Sequence, residues 1–215
     1  MHPIKRLIKS DSRKRIQKAI ELAESRTSAE IVPMVVLSST PTAHVFPLLA
    51  LFFLMISNEL FHIIPIDALY PLNAQMAFIF LSCLAVLCAF GLSRFNWIKR
   101  LLTSNKEEFR NVERRALVEF YTAQVNTTLS KNGILLFLSI QERKAVVLAD
   151  KTISDKLDKS VWIEVISTLI SGTRSQDLTG GIVNAIQKCA DIVYKELPKT
   201  AHTKNELPDK LIIKA

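Results

Sequence analysis

Lysine and arginine are missing from a long central stretch of the chain. Neither occurs between Arg26 and Arg94, although the 215 residues include 28 of them and carry a net charge of +8. The mean hydropathy of +0.22 is high for a soluble protein in which 22% of the residues are charged. Apolar residues are therefore concentrated in one part of the chain, and the positive charge lies outside it.

Cysteine is scarce, and its three copies are not spaced for a metal or redox site. Cys83 and Cys88 lie in an apolar segment and Cys189 lies in a predicted helix, with no C-x-x-C pair. We expect no disulfide and no metal site built on cysteine. The nucleophile-elbow, phosphate-loop, zinc-protease and dinucleotide motifs are also missing, and the four histidines are scattered. A histidine-based catalytic triad is therefore not expected.

The stretch without lysine or arginine contains two segments that are long enough to cross a bilayer, at about residues 43–64 and 74–92. Twenty helical residues span about 30 Å, the thickness of a hydrocarbon core. Pro65 and Pro71 bracket the connection, which suits a tight turn between antiparallel helices. Lysines and arginines flank the pair on both sides, so we expect both termini in the cytoplasm and the protein in the bacterial inner membrane.

Polar residues interrupt the far end of the first segment. The Glu59 carboxylate would cost several kcal/mol at mid-bilayer, so we expect it near the outer interface. The alternative is an intramembrane site formed by Glu59 and His62, which lie one helical turn apart. The sequence favours the interfacial placement.

The regions on either side of the apolar stretch alternate between helix and strand patterns. Apolar spacings predict helices over 12–26, from Ser104 to about Ala123, around Trp162 to Gly172, and over 177–197, with strands over 31–37, 134–140 and 145–149. The first two strands should be parallel, because a helix links them, and the last two should form a hairpin. Pro33 lacks the N–H that a ladder needs, so the first strand should lie at a sheet edge or start late.

Neither flank has enough strands to close a core alone. We therefore expect one discontinuous α/β domain, residues 1–42 and 93–215, with helices on the faces of one sheet and the membrane hairpin inserted at 43–92. Asn132-Gly133 before the second strand is interpreted as a turn that needs a positive φ.

One loop after a predicted strand is rich in carboxylates. Asp150 follows the last strand, and Asp155 and Asp158 lie beyond it. Hard cations such as Ca²⁺ or Mg²⁺ take several oxygen ligands, which such a loop supplies. The alternative is that Asp158 caps the following helix and the other two are solvated beside neighbouring lysines. The sequence favours the alternative, and the three aspartates remain the best metal candidates.

Several strings of residues resemble the TPM-domain family. They are the helix-to-strand entry Glu24–Pro33, the stretch Asn132–Ser139 with Glu142-Arg143 after it, and Leu148–Asp150. The tail Asn205–Asp209 is similar to the ending of the bacterial branch in which transmembrane helices are inserted in the domain. The resemblance covers most of the chain outside the apolar stretch.

The resemblance implies a three-layer αβα sandwich with a small mixed sheet, interrupted here by the two-helix transmembrane hairpin. Some relatives are described as phosphatases or divalent-cation binders, and others as factors that assemble or repair membrane complexes. Thr152 stands where relatives commonly have glycine, which weakens the phosphatase interpretation.

The leading hypothesis is a membrane-anchored binding or assembly module whose partners are the lipid bilayer and other membrane proteins. The rival is a divalent-cation-dependent phosphatase, for which the resemblance is the only support, so whether the chain is an enzyme stays open. A basic domain associated with lipid or nucleic acid is a weaker idea, and no nucleic-acid partner is expected.

Overall fold

The computed structural model describes residues 9–41, 44–63, 74–102, 104–199 and 205–214. The chain divides into two compact units. One consists of Met1–Thr40 with Glu108–Ala215 and is called the α/β unit below. The other, Pro41–Glu107, is called the hairpin unit.

The elements follow the alternation that the sequence predicts, with some additions. In chain order they are α1 (Ser10–Arg26), β1 (Glu30–Val36), α2 (Val45–Ile63), α3 (Ala74–Leu92), α4 (Asn96–Leu102), α5 (Asn105–Thr122), β2 (Gly133–Ser139), β3 (Lys144–Ala149), α6 (Lys151–Ser154), α7 (Ile163–Arg174), α8 (Leu178–Tyr194) and β4 (Ile212–Lys214). Two 3₁₀ turns cover Val125–Thr127 and Lys159–Trp162. The short helices α4 and α6 and the strand β4 were not expected from the sequence.

A four-stranded mixed sheet forms the middle layer of the α/β unit. Its strand order is β3-β2-β1-β4. β1 pairs in parallel with β2, from Glu30 opposite Gly133 to Val36 opposite Ser139, and β2 pairs antiparallel with β3. The predicted parallel pair and the predicted hairpin are both confirmed.

The prediction that Pro33 places β1 at an edge is wrong, because β4 pairs with β1 on its other side. The Glu30 N–H donates to the Asn132 carbonyl oxygen on the β2 side. Backbone N–H groups alternate in direction along a strand, so every second residue from Glu30 points its N–H toward β2 and the residues between them point theirs away from β2. Pro33 belongs to the second set, and β4 begins only opposite Met34. The missing donor therefore faces away from β2, at a level where β4 has not yet begun.

Helices cover both faces of the sheet, as the αβα expectation requires. One core joins α1, α7 and α8 to the side chains of alternate sheet residues such as Ile31, Ile134 and Leu136. The other joins α5 to the opposite face, including Met34 and Phe137. All seven residues of β1 and of β2 are buried. Burying a large aliphatic or aromatic side chain contributes about 1.5–3 kcal/mol, so this doubly covered sheet dominates the stability of the unit.

Gly133 is needed for a close backbone approach and not for the positive φ that the sequence suggested. None of the glycines that the structure describes has a positive φ, whereas the nearby Lys131 does, at 51°. A Cβ on Gly133 would lie 2.1 Å from the Val125 carbonyl oxygen. The turn strain therefore falls on Lys131, and the glycine makes room for the 3₁₀ turn.

The hairpin unit consists mainly of two antiparallel helices. The Phe46 ring contacts the Phe90 ring at a centroid distance of 6.1 Å, and Phe61 contacts Phe78 at 5.4 Å, both edge to face. The start of α2 therefore lies beside the end of α3, and the reverse. Small side chains pack between the helices, since Ala85 and Ala89 are buried four residues apart. Residues 43 and 64, at the predicted limits of the first segment, lie outside the described residues.

Candidate functional site

The chain leaves and re-enters the α/β unit beside the turn that joins β2 to β3. The backbone N–H of Thr40, the last residue before the hairpin unit, donates to Glu142 at 2.9 Å. Glu108, the first residue after the hairpin unit, accepts a hydrogen bond from Lys144 at 2.6 Å. We call this end of the unit the hairpin end and the opposite end of the sheet the far end.

The direction of α1 and α8 shows which of their termini lie at the hairpin end and which lie at the far end. Arg26, at the end of α1, forms an ion pair with Asp191 at 2.8 Å and lies over the Tyr194 ring at 5.5 Å. The two helices therefore run side by side in the same direction and end near the start of β1, at the far end. Both begin at the hairpin end, and α7 ends there because a short turn links it to α8.

The Glu142 carboxylate accepts several hydrogen bonds from residues 38–40, which are called the exit segment because they precede the hairpin unit. One carboxylate oxygen accepts from the Ser38 hydroxyl at 2.7 Å and from the backbone N–H groups of Ser39 and Thr40 at 3.0 and 2.9 Å. The other accepts from the Ser139 hydroxyl. Burial raises the pKa of this carboxyl, but these hydrogen bonds outweigh it and hold the pKa below the ordinary 4.5.

Lys144, the first residue of β3, holds the start of α5 through its ion pair with Glu108. Its ammonium group and the Glu108 carboxylate are 19% and 5% exposed, so the pair is largely shielded from water. Removing one partner of such a pair leaves a buried charge uncompensated. Glu142 and Lys144 thus contact the residues of the α/β unit that flank the hairpin unit, Thr40 and Glu108, through one anion and one cation.

A cleft of about 510 Å³ also lies at the hairpin end, between Ile140 and the α7–α8 turn. Asp177 caps α8 there by accepting the Gly180 N–H at 2.9 Å. The walls of the cleft mix apolar side chains with threonine, glutamine and aspartate groups: Ile140, Gly172, Thr173, Gln176, Asp177, Leu178 and Thr179. Gly172 and Gly181 pack so closely that a Cβ on Gly172 would lie 2.7 Å from the Gly181 Cα.

At the far end, Glu24 is a buried carboxyl with few donors. One oxygen accepts the Ile31 N–H at 2.8 Å, and the other is buried without a partner among the described residues. Burial raises its pKa to about 9, although the Ile31 hydrogen bond lowers it, and the neighbouring Glu30 and Asp209 carboxyls raise it further. Glu24 is therefore protonated at neutral pH.

Glu30 connects the start of β1 to the C-terminal tail. Its carboxylate accepts the Leu207 N–H at 3.3 Å, and burial raises its pKa. The Glu206 carboxylate accepts the Leu129 N–H at 2.8 Å. The tail then continues into β4, whose Lys214 pairs with Glu119 of α5 at 2.5 Å. The tail thus covers the side of β1 that faces away from β2.

Two of the three predicted metal ligands are helix or turn caps. Asp150 caps α6 by accepting the Lys151 N–H at 2.7 Å, and its other oxygen is buried without a described partner. Asp158 accepts the Ser160 N–H at 2.8 Å and caps the 3₁₀ turn, as the alternative interpretation expected, and this hydrogen bond lowers its pKa. Asp155 is exposed.

These aspartates do not form a preassembled cation site. Within the ranges that the structure covers, no group of three or more histidine, cysteine, aspartate or glutamate side chains could hold a metal ion. Ca²⁺ takes six to eight oxygen ligands and Mg²⁺ takes near-octahedral ones, which is more than these three aspartates supply by themselves. The assignment of Asp150, Asp155 and Asp158 as metal ligands stays a prediction.

Residues 100–192 match the family model described as the TPM domain. Over these residues the chain is similar to the TPM domain. The TPM resemblance is thereby confirmed for the strings Asn132–Ser139 and Leu148–Asp150, which lie inside the match, whereas Glu24–Pro33 and Asn205–Asp209 lie outside it. The match extends from the end of α4 into α8. No curated protein matches the chain.

A solved structure shares the TPM fold of this chain. It is the NMR structure of the BA42 protein from the psychrophilic bacterium Bizionia argentinensis, with a TM-score of 0.59 over 96% of this chain and 95% of that one. The sequences are 16% identical, so the likeness shows the fold and carries no statement about activity. The αβα fold class expected from the sequence is confirmed.

Proposed function

We propose that this chain is a TPM domain anchored in the bacterial inner membrane, where it binds membrane proteins and supports their assembly or maintenance. The two apolar helices of the hairpin unit would form the anchor. The α/β unit and both termini would lie on the cytoplasmic side, because the lysines and arginines lie on both sides of the apolar stretch.

The observation that carries the proposal is the exposure of α2 and α3. Both are long and apolar enough to cross a bilayer, yet only 6% and 17% of their apolar windows are buried. A core helix of a soluble protein would be mostly buried. Large apolar side chains on these helices face outward, among them Leu51, Met55, Ile79 and Leu87, each at least 60% exposed.

The attachment of the hairpin supports a role close to the bilayer. The chain leaves the α/β unit at Thr40 and re-enters it at Glu108, and the β2–β3 turn contacts both points. A domain held in this way stays within reach of the membrane surface, because no long linker separates it from the anchor. Membrane proteins are therefore the partner class that such a domain meets most often.

Isolation from native membranes tests this function. The tagged full chain is solubilised in a mild detergent and purified, with a tagged two-helix membrane protein of unrelated sequence as the control. We expect a membrane protein to co-purify in near-stoichiometric amount with this chain and not with the control. A chain that is consistently isolated alone contradicts the binding function.

The rival function, a divalent-cation-dependent phosphatase, has one structural feature in its favour. The second Asp150 oxygen is buried without a described partner, which leaves it available to a ligand. Hydrolysis of a generic phosphate ester with Mg²⁺ or Ca²⁺, abolished in Asp150→Asn and retained in Asp158→Asn, would support this rival. Absence of hydrolysis with either cation would exclude it.

A further inference from the structure

The hairpin end of the α/β unit presents a basic surface made by three separate elements. Its cations come from the N-cap and first two turns of α1, the tip of the β2–β3 turn and the last residue of α7. We call them the basic patch: Lys9, Arg13, Lys14, Arg143 and Arg174. All five side chains are exposed. Within the part of the chain that the structure describes, none of them takes part in an ion pair.

Two carboxylates lie among these cations, and neither neutralises the patch. Asp11 is in the first turn of α1, and Asp177 accepts the Gly180 N–H as the cap of α8. Five cations thus face two carboxylates. By contrast, Glu142, the remaining acid of the β2–β3 turn, is buried and occupied by the exit segment.

Helix geometry adds to this positive potential. Side chains in a helix point back toward its N-terminus, so Arg13 and Lys14 extend toward the hairpin end. The first N–H groups of α1 carry partial positive charge, and Lys9 at its N-cap makes no side-chain cap hydrogen bond. The start of the helix therefore adds a partial positive charge to that of the cationic side chains, and phosphate oxygens favour such a position.

We propose that the basic patch docks the α/β unit onto the anionic lipid headgroups of the bilayer that the hairpin spans. The inference rests on the proposed membrane anchor, and it concerns the surface that faces the membrane. Charge complementarity selects the occupant, because the cytoplasmic leaflet is negatively charged and attracts basic segments near it. The patch lies at the same end of the α/β unit as Thr40 and Glu108, where the chain leaves and re-enters that unit. Docking would fix the orientation of the domain beside its membrane partners.

The test measures backbone hydrogen exchange on the full chain in lipid nanodiscs. One preparation contains only zwitterionic lipid, and the other contains about one third anionic lipid, in low salt. Peptides that cover residues 9–18, 141–145 and 174–178 report on the patch, and residues 150–158 report on the far end. We expect exchange of the α1 first turn to slow about tenfold in the anionic nanodiscs and to recover in high salt, where charges are screened.

Charge reversal provides matched variants. Arg13→Glu with Lys14→Glu should remove the lipid-dependent protection, while Lys156→Glu with Lys159→Glu, which makes the same charge change at the far end, should leave it intact. Equal exchange in the two lipids would overturn the docking proposal. So would protection that appears in zwitterionic nanodiscs only after RNA or an acidic protein is added, because the occupant would then not be lipid. Incorporation into nanodiscs is scored separately, and failure to incorporate would count against the membrane anchor.

Discussion

Two buried glutamates at opposite ends of the same sheet have pKa values shifted in opposite directions. Glu24 at the far end and Glu142 at the hairpin end are each 7% exposed. Glu142 accepts four hydrogen bonds, and its pKa is lowered. Glu24 accepts one from Ile31, has a second oxygen without a described partner, and its pKa is raised to about 9.

The difference shows that the number of donors decides which protonation state burial selects. Desolvation favours the neutral form at both positions. Only at the hairpin end do enough donors converge to keep the carboxylate charged. The hairpin end is therefore built around a permanent anion that holds the exit segment, whereas the far end contains a neutral carboxyl beside two further acids, Glu30 and Asp209.

The largest expected effect comes from removing the anion at the hairpin end. Glu142→Ala leaves the Ser39 and Thr40 N–H groups without their acceptor and should lower the free energy of unfolding by about 3–4 kcal/mol. Urea unfolding of the detergent-solubilised chain, followed by circular dichroism, measures it. Glu142→Gln keeps one acceptor oxygen and should lose about half as much. A Glu142→Ala variant that is as stable as the parent would contradict a stabilising role for these hydrogen bonds.

The next effect tests the neutral carboxyl at the far end. The pKa of Glu24 is raised on folding, so its stabilising contribution is complete below pH 4.5 and is lost as pH rises toward 9. The free energy of unfolding should therefore fall as pH rises between these two values. Glu24→Gln should flatten this dependence, and Glu21→Gln, on the exposed face of α1, should not. Parallel pH profiles for Glu24→Gln and the parent would contradict the assignment.

A smaller loss of stability is expected where the chain re-enters the α/β unit, at Glu108. Lys144→Met leaves the buried Glu108 carboxylate unpaired and should lower the free energy of unfolding by about 2 kcal/mol, part of which Glu108→Gln should restore in the double variant. The exposed pair of Lys188 and Glu164 provides the control, since Lys188→Met should change little. Equal losses in both lysine variants would show that the hairpin end is not special.

The smallest effect is the acid titration of Glu142. Its pKa is lowered on folding, so its contribution is present above the unfolded value of 4.5 and is lost as pH falls through the folded value. The stability difference between the parent and Glu142→Gln should therefore be constant from pH 5 to 7 and shrink below pH 4.5. A difference that grows in acid would reverse the sign of the shift.

Much of the fold could be predicted because its helices and strands have regular apolar patterns. The mostly apolar β1 and β2, the hairpin of β2 and β3, and the limits of α3 all follow from periodicity and length. β4 could not be predicted, since three residues after a polar tail give no pattern of their own. Pro33 was misplaced because the sequence does not show that a neighbouring strand can begin one residue later.

The charged residues at the two ends of the sheet were the least predictable. Glu24 continues the four-residue steps of Ile16 and Ile20, which is a signal of burial, but its charge hides the pattern. In α5, the predicted apolar stripe began at Phe109, which is 46% exposed, whereas the buried position is Glu108. Pairing with Lys144 makes that burial tolerable, and such a partner 36 residues away has no signature in the sequence.

The central claim is that the hairpin crosses the membrane while both parts of the α/β unit stay on one side. A reporter enzyme that is active only outside the cytoplasm can be inserted at Tyr70, between the two apolar segments, and separately fused to the C-terminus. We expect activity for the Tyr70 insertion and none for the C-terminal fusion, with both proteins made in equal amounts. Activity at the C-terminus, or inactivity at both positions, would contradict it.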